Sequence, residues 1–490
     1  MKKVSKVLSI LLSVVLVISS FYLLYQVIRL NVLPSKFLFP LTIGVVVLDT
    51  IFILLLIYFS KNVVSKIVCI VLTLFICVAS CMGGYYISKT QNVLSSITNV
   101  AKHAKNTVSV IVKESSSIKN KSQLNDVSVG SLRLNEQGSK KVLKELSGEG
   151  IVLNQTEYDS MTALLEAFYN GEVDSIIINE SSRSQILDME AYSNFDSNTR
   201  VVYQTSYKVK NNDSATSVSD ITSKPFNVLI SGSDTRGGFD ENGRSDVIMI
   251  ATVNPNTHTI LLTSVPRDFY VTTACDAGDG CMQGALDKIT HTGIHGTNTT
   301  KRTVEQLLGI EINYTFKVGF DTVTELVDVL GGVDVYVEPG YATTTSEFSV
   351  HEGVNHLNAQ QALAFARERY SYTEGDRQRT KNQQQVLMGI VKEATKPSVI
   401  TNYAAIMDTM ANTFSTTMSN EEITDLIKYQ LNNNPTWKME QYMVDGTGDT
   451  LMCAELGDAA SVMVPDQSTV KMAKDKINAV LAGKSSEDVK

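Results

Sequence analysis

Apolar residues are spread unevenly along this chain. Three long runs, Val7–Leu30, Phe37–Phe59 and Ile67–Ile87, hold one charge each or none; beyond about residue 90, short apolar stretches alternate with polar ones. Each run is long enough to cross a hydrocarbon core of about 30 Å, which takes about 20 helical residues. A cleavable signal peptide has a shorter apolar core with a small-residue cleavage site behind it. A first run of this length followed by two more predicts a three-helix membrane anchor over residues 1–90. Lys2, Lys3 and Lys6 precede the first run, and Lys61 and Lys66 separate the second from the third. The first loop offers only Lys36 and the helix-end Arg29. Basic residues favour the cytoplasmic side, so a multi-pass protein with a cytoplasmic N-terminus and an extracellular remainder is expected.

Two soluble units are predicted behind the anchor. In residues 104–208, Val108–Val112 and Asp126–Gly130 read as strands and Ser139–Leu146 as a helix. Met161–Asn179 reads as helix, glycine turn and β-branched strand, which makes a small accessory α/β domain. Residues 209–224, rich in Ser, Thr, Asn and Asp without periodicity, read as a linker. The larger unit, 225–483, opens with strands Phe226–Ser231, Val247–Val253 and Thr259–Val265, the last two joined by the turn-rich Asn254-Pro255-Asn256-Thr257-His258. Helices are expected at Lys301–Leu308, Thr322–Leu330, Asn358–Arg369 and Asp376–Ala394, with a strand at Val333–Val337. The class is α/β, a mixed central sheet flanked by helices.

Composition narrows the chemistry. A net charge of −8 over 490 residues disfavours nucleic acid as a partner, since a nucleic-acid binder carries a basic balance or stripe. Cys69, Cys77 and Cys81 fall in the third run, where a buried thiol is a packing residue. Cys275 and Cys281 bracket Asp-Ala-Gly-Asp-Gly in the soluble part. A short-loop disulfide and two free thiols are both open there, and Cys453 is left over. His291, His295, His351 and His356 lack a partner pattern, so neither zinc nor histidine catalysis is expected.

Strand direction supplies the sharpest expectation. If the first strand of the larger unit ends at Asp234 and the chain returns antiparallel from Asp246, both aspartates lie at one end of the sheet. Arg244 precedes the returning strand, and Arg267 follows the third strand at the same end. Paired aspartates without histidine or cysteine suit magnesium, or manganese, better than zinc, and arginine forks beside them suit a pyrophosphate. The alternative is a set of surface ion pairs of little worth. A helix starting at Asp376 would carry Asp376, Arg379 and Gln383 on one face, continued by Leu387 and Ile390 packing below. Its N-terminus would favour phosphate, though an Arg-rich solvated helix start has the same spacing.

Two resemblances add to this. SQLNDVSVGSLRLNEQGS and ALLEAFYNGEVDSIIIN are similar to one lobe of solute-binding proteins of the polar amino-acid type, and a lone lobe reads as a spacer or docking unit. NVLISGSDTRGGFDENGRSDVIMIATVNP, ILLTSVPRDFYV, LDKITHTGIHG, YTFKVGFDTVTELVDVLGGVDV and LNAQQALAFARERYSYTEGDRQRTKNQQQVL, in this order over about Pro225–Thr395, resemble the LytR–CpsA–Psr catalytic domain. The three spans and accessory unit resemble its capsule-associated branch. The resemblance implies a phosphotransferase moving a polyprenyl-pyrophosphate-linked polysaccharide, capsule or teichoic-acid-like, onto peptidoglycan with magnesium, beside polymer-assembly proteins. It implies Asp234 and Asp246 as metal-linked aspartates, catalytic together with Arg267. Arg244, Arg267, Arg367, Arg369 and Arg379 would hold pyrophosphate, with Lys288, Asp376 and Gln383 in the same pocket. A pyrophosphate hydrolase using water, and a non-enzymatic membrane regulator, are the competing readings.

Overall fold

A computed structural model describes residues 2–59, 62–98, 103–133, 136–233, 241–276, 280–396, 405–406, 409–410 and 414–490. Asp234 and the glycine-rich 235–238 segment lie outside the described residues, as do 277–279. By internal contacts the chain divides into two compact units.

The first unit is built on three helices, α1 (Lys2–Leu30), α2 (Ser35–Leu54, prolonged by a π turn to Phe59) and α3 (Val63–Thr98). All three are long and apolar enough to cross a membrane. Their outward side chains are the large apolar ones; Phe21, Phe39 and Phe75 are each two-thirds or more exposed, the inverse of a water-soluble bundle. Gly84 lets α1 approach α3 closely, because a Cβ there would stand 2.4 Å from the Tyr22 ring. The third helix outlasts its apolar run. Buried Thr90, Val93, Leu94 and Ile97 continue a stripe at helical spacing, so polar Ser88–Thr98 stays helical. Cys77 is buried as expected of a packing thiol, whereas Cys81 is exposed.

Residues Val391–Ala411 and Ser419–Thr436 group with these helices, although the sequence pattern assigns them to the 225–483 stretch. The Asn420–Asn433 helix, opened by a Ser419–Glu422 capping box, is tied there by polar contacts. Thr98 Oγ1 donates to Asn420 Oδ1 (2.6 Å), Lys428 Nζ to Asn31 Oδ1 (2.8 Å) and Lys36 Nζ to the Asn432 carbonyl (2.7 Å).

Two larger sheets and four two-stranded ribbons make up the strands of the second unit among the described residues. Strands β1 (His103–Lys113), β2 (Ser128–Leu132), β3 (Asn154–Tyr158), β4 (Ser175–Asn179) and β5 (Thr199–Lys210) pair in the order β3-β2-β4-β1-β5. Side-chain alternation sorts the core. Ile177 faces α4 (Glu136–Gly148) with Val142 and Leu146, while Ile176 and Ile178 face α5 (Met161–Asn170), α6 (Arg183–Asp188) and Phe195 of α7 (Phe195–Asn198). The sequence pattern misses β3 because its side chains are exposed and polar along almost its whole length.

The larger sheet is mixed and six-stranded. Strands β6 (Phe226–Ser233), β7 (Ser245–Asn254) and β8 (Thr259–Val265) form an antiparallel meander. The ribbon of β9 (Tyr270–Thr272) and β10 (Leu286–Lys288) follows, then β11 (Tyr314–Gly319), which lies parallel to β6. Two small ribbons come next: β12 (Val333–Val337) with β15 (Gly353–Leu357), and β13 (Thr343–Thr344) with β14 (Ser349–Val350). Then β16 (Phe414–Thr416) and β17 (Lys438–Met443) complete the order β16-β11-β6-β7-β8-β17, followed by the β18 (Gly446–Cys453) and β19 (Asp458–Pro465) hairpin. One face buries Leu229, Ile248, Ile250, Leu261 and Val265 against α8 (Thr297–Leu308) and the C-terminal helix Gln467–Leu481. Helices α9 (Phe320–Leu330), α10 (Ala359–Arg367) and α11 (Asp376–Ala394) complete the unit.

Two local expectations change. The α10 helix stops at Arg367, because Glu368 turns extended (φ −68°, ψ 127°) and accepts the Tyr370 and Ser371 amides. Arg369 is therefore outside the helix. The packed face of α11 is mostly polar, at Gln378, Thr380, Asn382 and Gln384, with Val386 and the expected Ile390 supplying its apolar part. Asn382 donates to the Phe365 carbonyl, and Gln384 donates to those of Leu262 and Tyr442, so these amides satisfy buried backbone acceptors.

The β5 strand takes in Val209 and Lys210, the first residues of the expected 209–224 linker; the rest has no helix or strand and is seated along β11. The Thr216 amide donates to the Asn313 carbonyl (2.8 Å), the Val218 amide to the Tyr314 hydroxyl (3.1 Å) and Thr315 Oγ1 to Asp213 Oδ2 (2.7 Å). Asp213 Oδ1 is sealed from solvent without a hydrogen-bond partner among the described residues. Burial pushes this carboxyl up to about 6, against the Thr315 hydroxyl and the nearby Lys301. The folded chain then binds the proton more tightly than the unfolded one, so stability falls as pH rises from the ordinary carboxyl value to about 6. Asp213→Asn should raise the unfolding free energy by roughly 2 kcal/mol at pH 7.5. The gain should vanish near pH 4, which thermal melts of the two proteins at both pH values would check.

Candidate functional site

The meander brings the charged residues together. Ser233 of β6 is opposite Ser245 of β7, and Ile248 of β7 is opposite Val265 of β8. Arg244, Asp246 and Arg267 therefore meet at one end of the sheet, as strand direction predicts. The sheet end is locally shaped for this. A register shift falls between Gly232 and Ser233, where a Cβ on Gly232 would stand 2.8 Å from that of Val247. The 3-10 segment Ile289–His295 lies directly on the start of β7, because Gly293 has no Cβ to meet the Gly243 carbonyl and Ser245 amide at 2.5 Å. Below, buried hydroxyls of Ser231, Ser245, Thr300 and Thr292 are linked at 2.9–3.0 Å, which joins β6, β7, α8 and the 3-10 segment without a charged group.

Asp246 sits at the centre. Its Oδ1 accepts from Arg267 Nη1 at 2.9 Å, and Arg244 Nη2 faces Oδ2 at 3.8 Å. Thr290 Oγ1 adds a long contact to Oδ1 at 3.4 Å. Burial opposes ionisation, yet Arg244, Arg267 and, further off, Arg379 outweigh it and hold this carboxyl below its ordinary range. Asp268 bridges outward, 3.8 Å from Arg267 Nε and 3.3 Å from Lys288 Nζ, so Lys288 joins the group. From α11, Arg379 pairs with Asp376 one turn earlier. Burial lowers the Arg379 guanidinium, and repulsion from Arg267 and Arg369 adds to it. Positive charge is therefore crowded here.

The three guanidiniums are not fully used. Arg244 Nε, Arg267 Nε and Arg379 Nε are buried without a hydrogen-bond acceptor among the described residues, and Ser233 Oγ is likewise unpartnered. Buried donors in native structures nearly always find partners. Unpartnered donors on three guanidiniums near one carboxylate fit an anion with several oxygens.

The remaining predicted residues are less central. Arg369 lies over the Tyr370 ring (4.7 Å to its centroid) and donates to its hydroxyl, while close enough to repel Arg379. Arg367 closes α10 as an exposed residue, and Gln383 is half-buried one turn past Arg379 on α11. The neighbouring Arg377 turns away, to Asp445 (2.7 Å) and the Gly446 carbonyl (2.9 Å). Sequence reasoning missed Asp268 and Asp188. Asp268 follows Arg267 in the VPRDFYV string and was legible there. Asp188, which pairs with Arg244 from α6, has no local signal because the contact joins segments 56 residues apart.

Histidines lie apart from Asp246. His291 Nδ1 is 2.7 Å from Asp287 Oδ1, and His295 Nε2 is 2.9 Å from Glu455 Oε2. They line a small depression beside Cys281. Cys275 and Cys281 are disulfide-bonded, and Cys453 is a buried free thiol raised to about 12 by burial.

Removing the Asp246 charge should be costly. Asp246→Asn leaves buried guanidiniums facing each other and should lower stability by about 3 kcal/mol at pH 7. The native carboxyl is depressed, so its contribution holds above the ordinary carboxyl pKa and fades as pH falls through the folded value. The deficit of the variant should therefore shrink in acid, as denaturant unfolding at pH 7 and below pH 4 would reveal.

Comparison with known proteins identifies the family. Residues 191–479 match the LytR_cpsA_psr family, a longer stretch than the motif-bearing Pro225–Thr395. TagU of Bacillus cereus (strain AH820), named a polyisoprenyl-teichoic acid–peptidoglycan teichoic acid transferase, is 30% identical over 241 residues, covering 49% of this chain and 76% of the relative. The protein of that name from Bacillus subtilis (strain 168) is 34% identical over 203 residues, covering 41% and 63%. The crystal structure of B. subtilis TagU is 28% identical, covers 53% of this chain and 97% of that one, and superposes with a TM-score of 0.41. With well over half of its length matched, this chain belongs to the LytR–CpsA–Psr family.

Proposed function

We propose that this protein transfers a glycopolymer from a polyprenyl-pyrophosphate carrier to a sugar hydroxyl of peptidoglycan, forming a phosphodiester and releasing polyprenyl phosphate. The observation that carries this is the set of buried, unspent Nε–H donors of Arg244, Arg267 and Arg379 around Asp246. Relatives named as teichoic acid transferases support a polymer-transfer role. A lipid-linked donor lives in a bilayer, and this chain carries three helices long and apolar enough to cross one. We place the N-terminus in the cytoplasm and the catalytic domain outside.

In the proposed reaction the acceptor hydroxyl attacks the polymer-side phosphorus. The bridging P–O bond breaks, and its electron pair leaves with the polyprenyl phosphate. Charge grows on the phosphate oxygens, where fixed guanidinium donors in a dry site stabilise it more than mobile water can. The arginines hold the Asp246 carboxyl below its ordinary range, which makes it a weak base. It orients the arginines instead, and Asp234 is the remaining candidate to accept the hydroxyl proton.

Among the described residues there is no group of three or more His, Cys, Asp or Glu that could hold a metal. Magnesium does not require one, because it is commonly held by one or two carboxylates plus substrate phosphate oxygens. The ionised oxygens of Asp246 fit that pattern, and we assign Asp246 and Asp234 as its carboxylate ligands, with manganese as a substitute. When bound, the ion would neutralise charge on the pyrophosphate.

The test uses the full chain in detergent with a polyprenyl-pyrophosphate-linked glycan, magnesium and peptidoglycan. Product is expected only when the acceptor is present; polyprenyl phosphate released equally fast without acceptor would make the protein a hydrolase. Arg267→Ala should slow transfer about a hundredfold, while Arg377→Ala, whose side chain faces Asp445, should change it little. Treatment with EDTA should abolish transfer, and added magnesium should restore it; full activity in EDTA would remove the metal from the proposal.

A further inference from the structure

We propose that the accessory domain is a working part of the anion pocket, and that Asp188 is a positioning residue that aims Arg244 at the donor. This rests on the pyrophosphate reading of that pocket and adds what the second domain does for it.

The chain enters the pocket through residues 241–246, and 242–244 have no strand pairing of their own. The accessory domain holds this segment at both ends. At its start, buried Glu241 accepts from the Thr107 hydroxyl and lies 3.3 Å from Lys105 Nζ, both on β1, and its backbone bridges to Lys105. Lys317 of β11 takes the Glu241 carbonyl at 2.6 Å. Three residues on, Asp188 at the end of α6 pairs with Arg244 Nη1, while Arg244 Nη2 faces Asp246. A guanidinium is planar, with its donors in a fixed fork. Carboxylates on both terminal nitrogens therefore set its plane, and with it the direction of the unpaired Nε–H.

The contact is poorly suited to a purely stabilising role. The Asp188 side chain is 60% exposed, and exposed ion pairs add little to stability. The Arg244 side chain is only 11% exposed. Loss of Asp188 would therefore release the arginine without unfolding the chain.

The experiment measures binding of inorganic pyrophosphate with magnesium to the full chain in detergent, by calorimetry. Asp188→Ala should weaken binding about tenfold with an unchanged melting temperature, and Asp188→Glu, which keeps the carboxylate, should restore most of it. In an Arg244→Ala background, Asp188→Ala should cost nothing further, since it acts through that arginine. Unchanged or tighter binding by Asp188→Ala, or an undiminished loss in the Arg244→Ala background, overturns the inference alone. A wild-type chain that does not bind pyrophosphate overturns the pocket reading and this inference with it.

Discussion

One buried carboxylate organises the charged end of the larger sheet. Arginines in a half-dry cleft repel one another and would splay into solvent unless an anion held them. Asp246 is that anion: it sits near the start of β7 at the irregularity between Ser245 and Val247, and it draws in Arg267 from just past β8 and Arg244 from its own approach segment. Arg379, on a separate helix, feels the same charge. The pairing is asymmetric, with more donors than acceptors, and the Nε–H groups of all three arginines are left without a hydrogen-bond acceptor among the described residues.

The scaffold around it is stiff and largely uncharged. Serine and threonine hydroxyls connect β6, β7, α8 and the 3-10 segment under the site. Side-chain amides of α11 cap carbonyls of Phe365, Leu262 and Tyr442. Such neutral groups fix position without adding charges that would compete for the arginines. A catalytic constellation benefits from this arrangement, because small misplacements of donors are expensive in rate.

How much of this was readable beforehand depends on the range of the interaction. Alternation and turn chemistry located β6, β7 and β8 to within a few residues, and antiparallel geometry then put Arg244, Asp246 and Arg267 at one end. The start of α11 at Asp376 was also legible. The polar packed face of α11 was not, because its amides serve carbonyls from distant elements. Nor was the end of α10, where the Glu368 carboxylate captures two following amides and pulls Arg369 out of the helix. Asp188 shows the limit most clearly: nothing near it in sequence marks it, and only packing between distant segments gives it a partner.

The Asn420–Asn433 helix has a practical implication for anyone handling the soluble part by itself. Thr98, Asn31 and Lys36 supply partners to Asn420, Lys428 and the Asn432 carbonyl. Excising α1–α3 therefore does not cut along a natural seam. It strips a late piece of chain of its anchors, and a truncated protein would carry that piece as a loose, sticky flap.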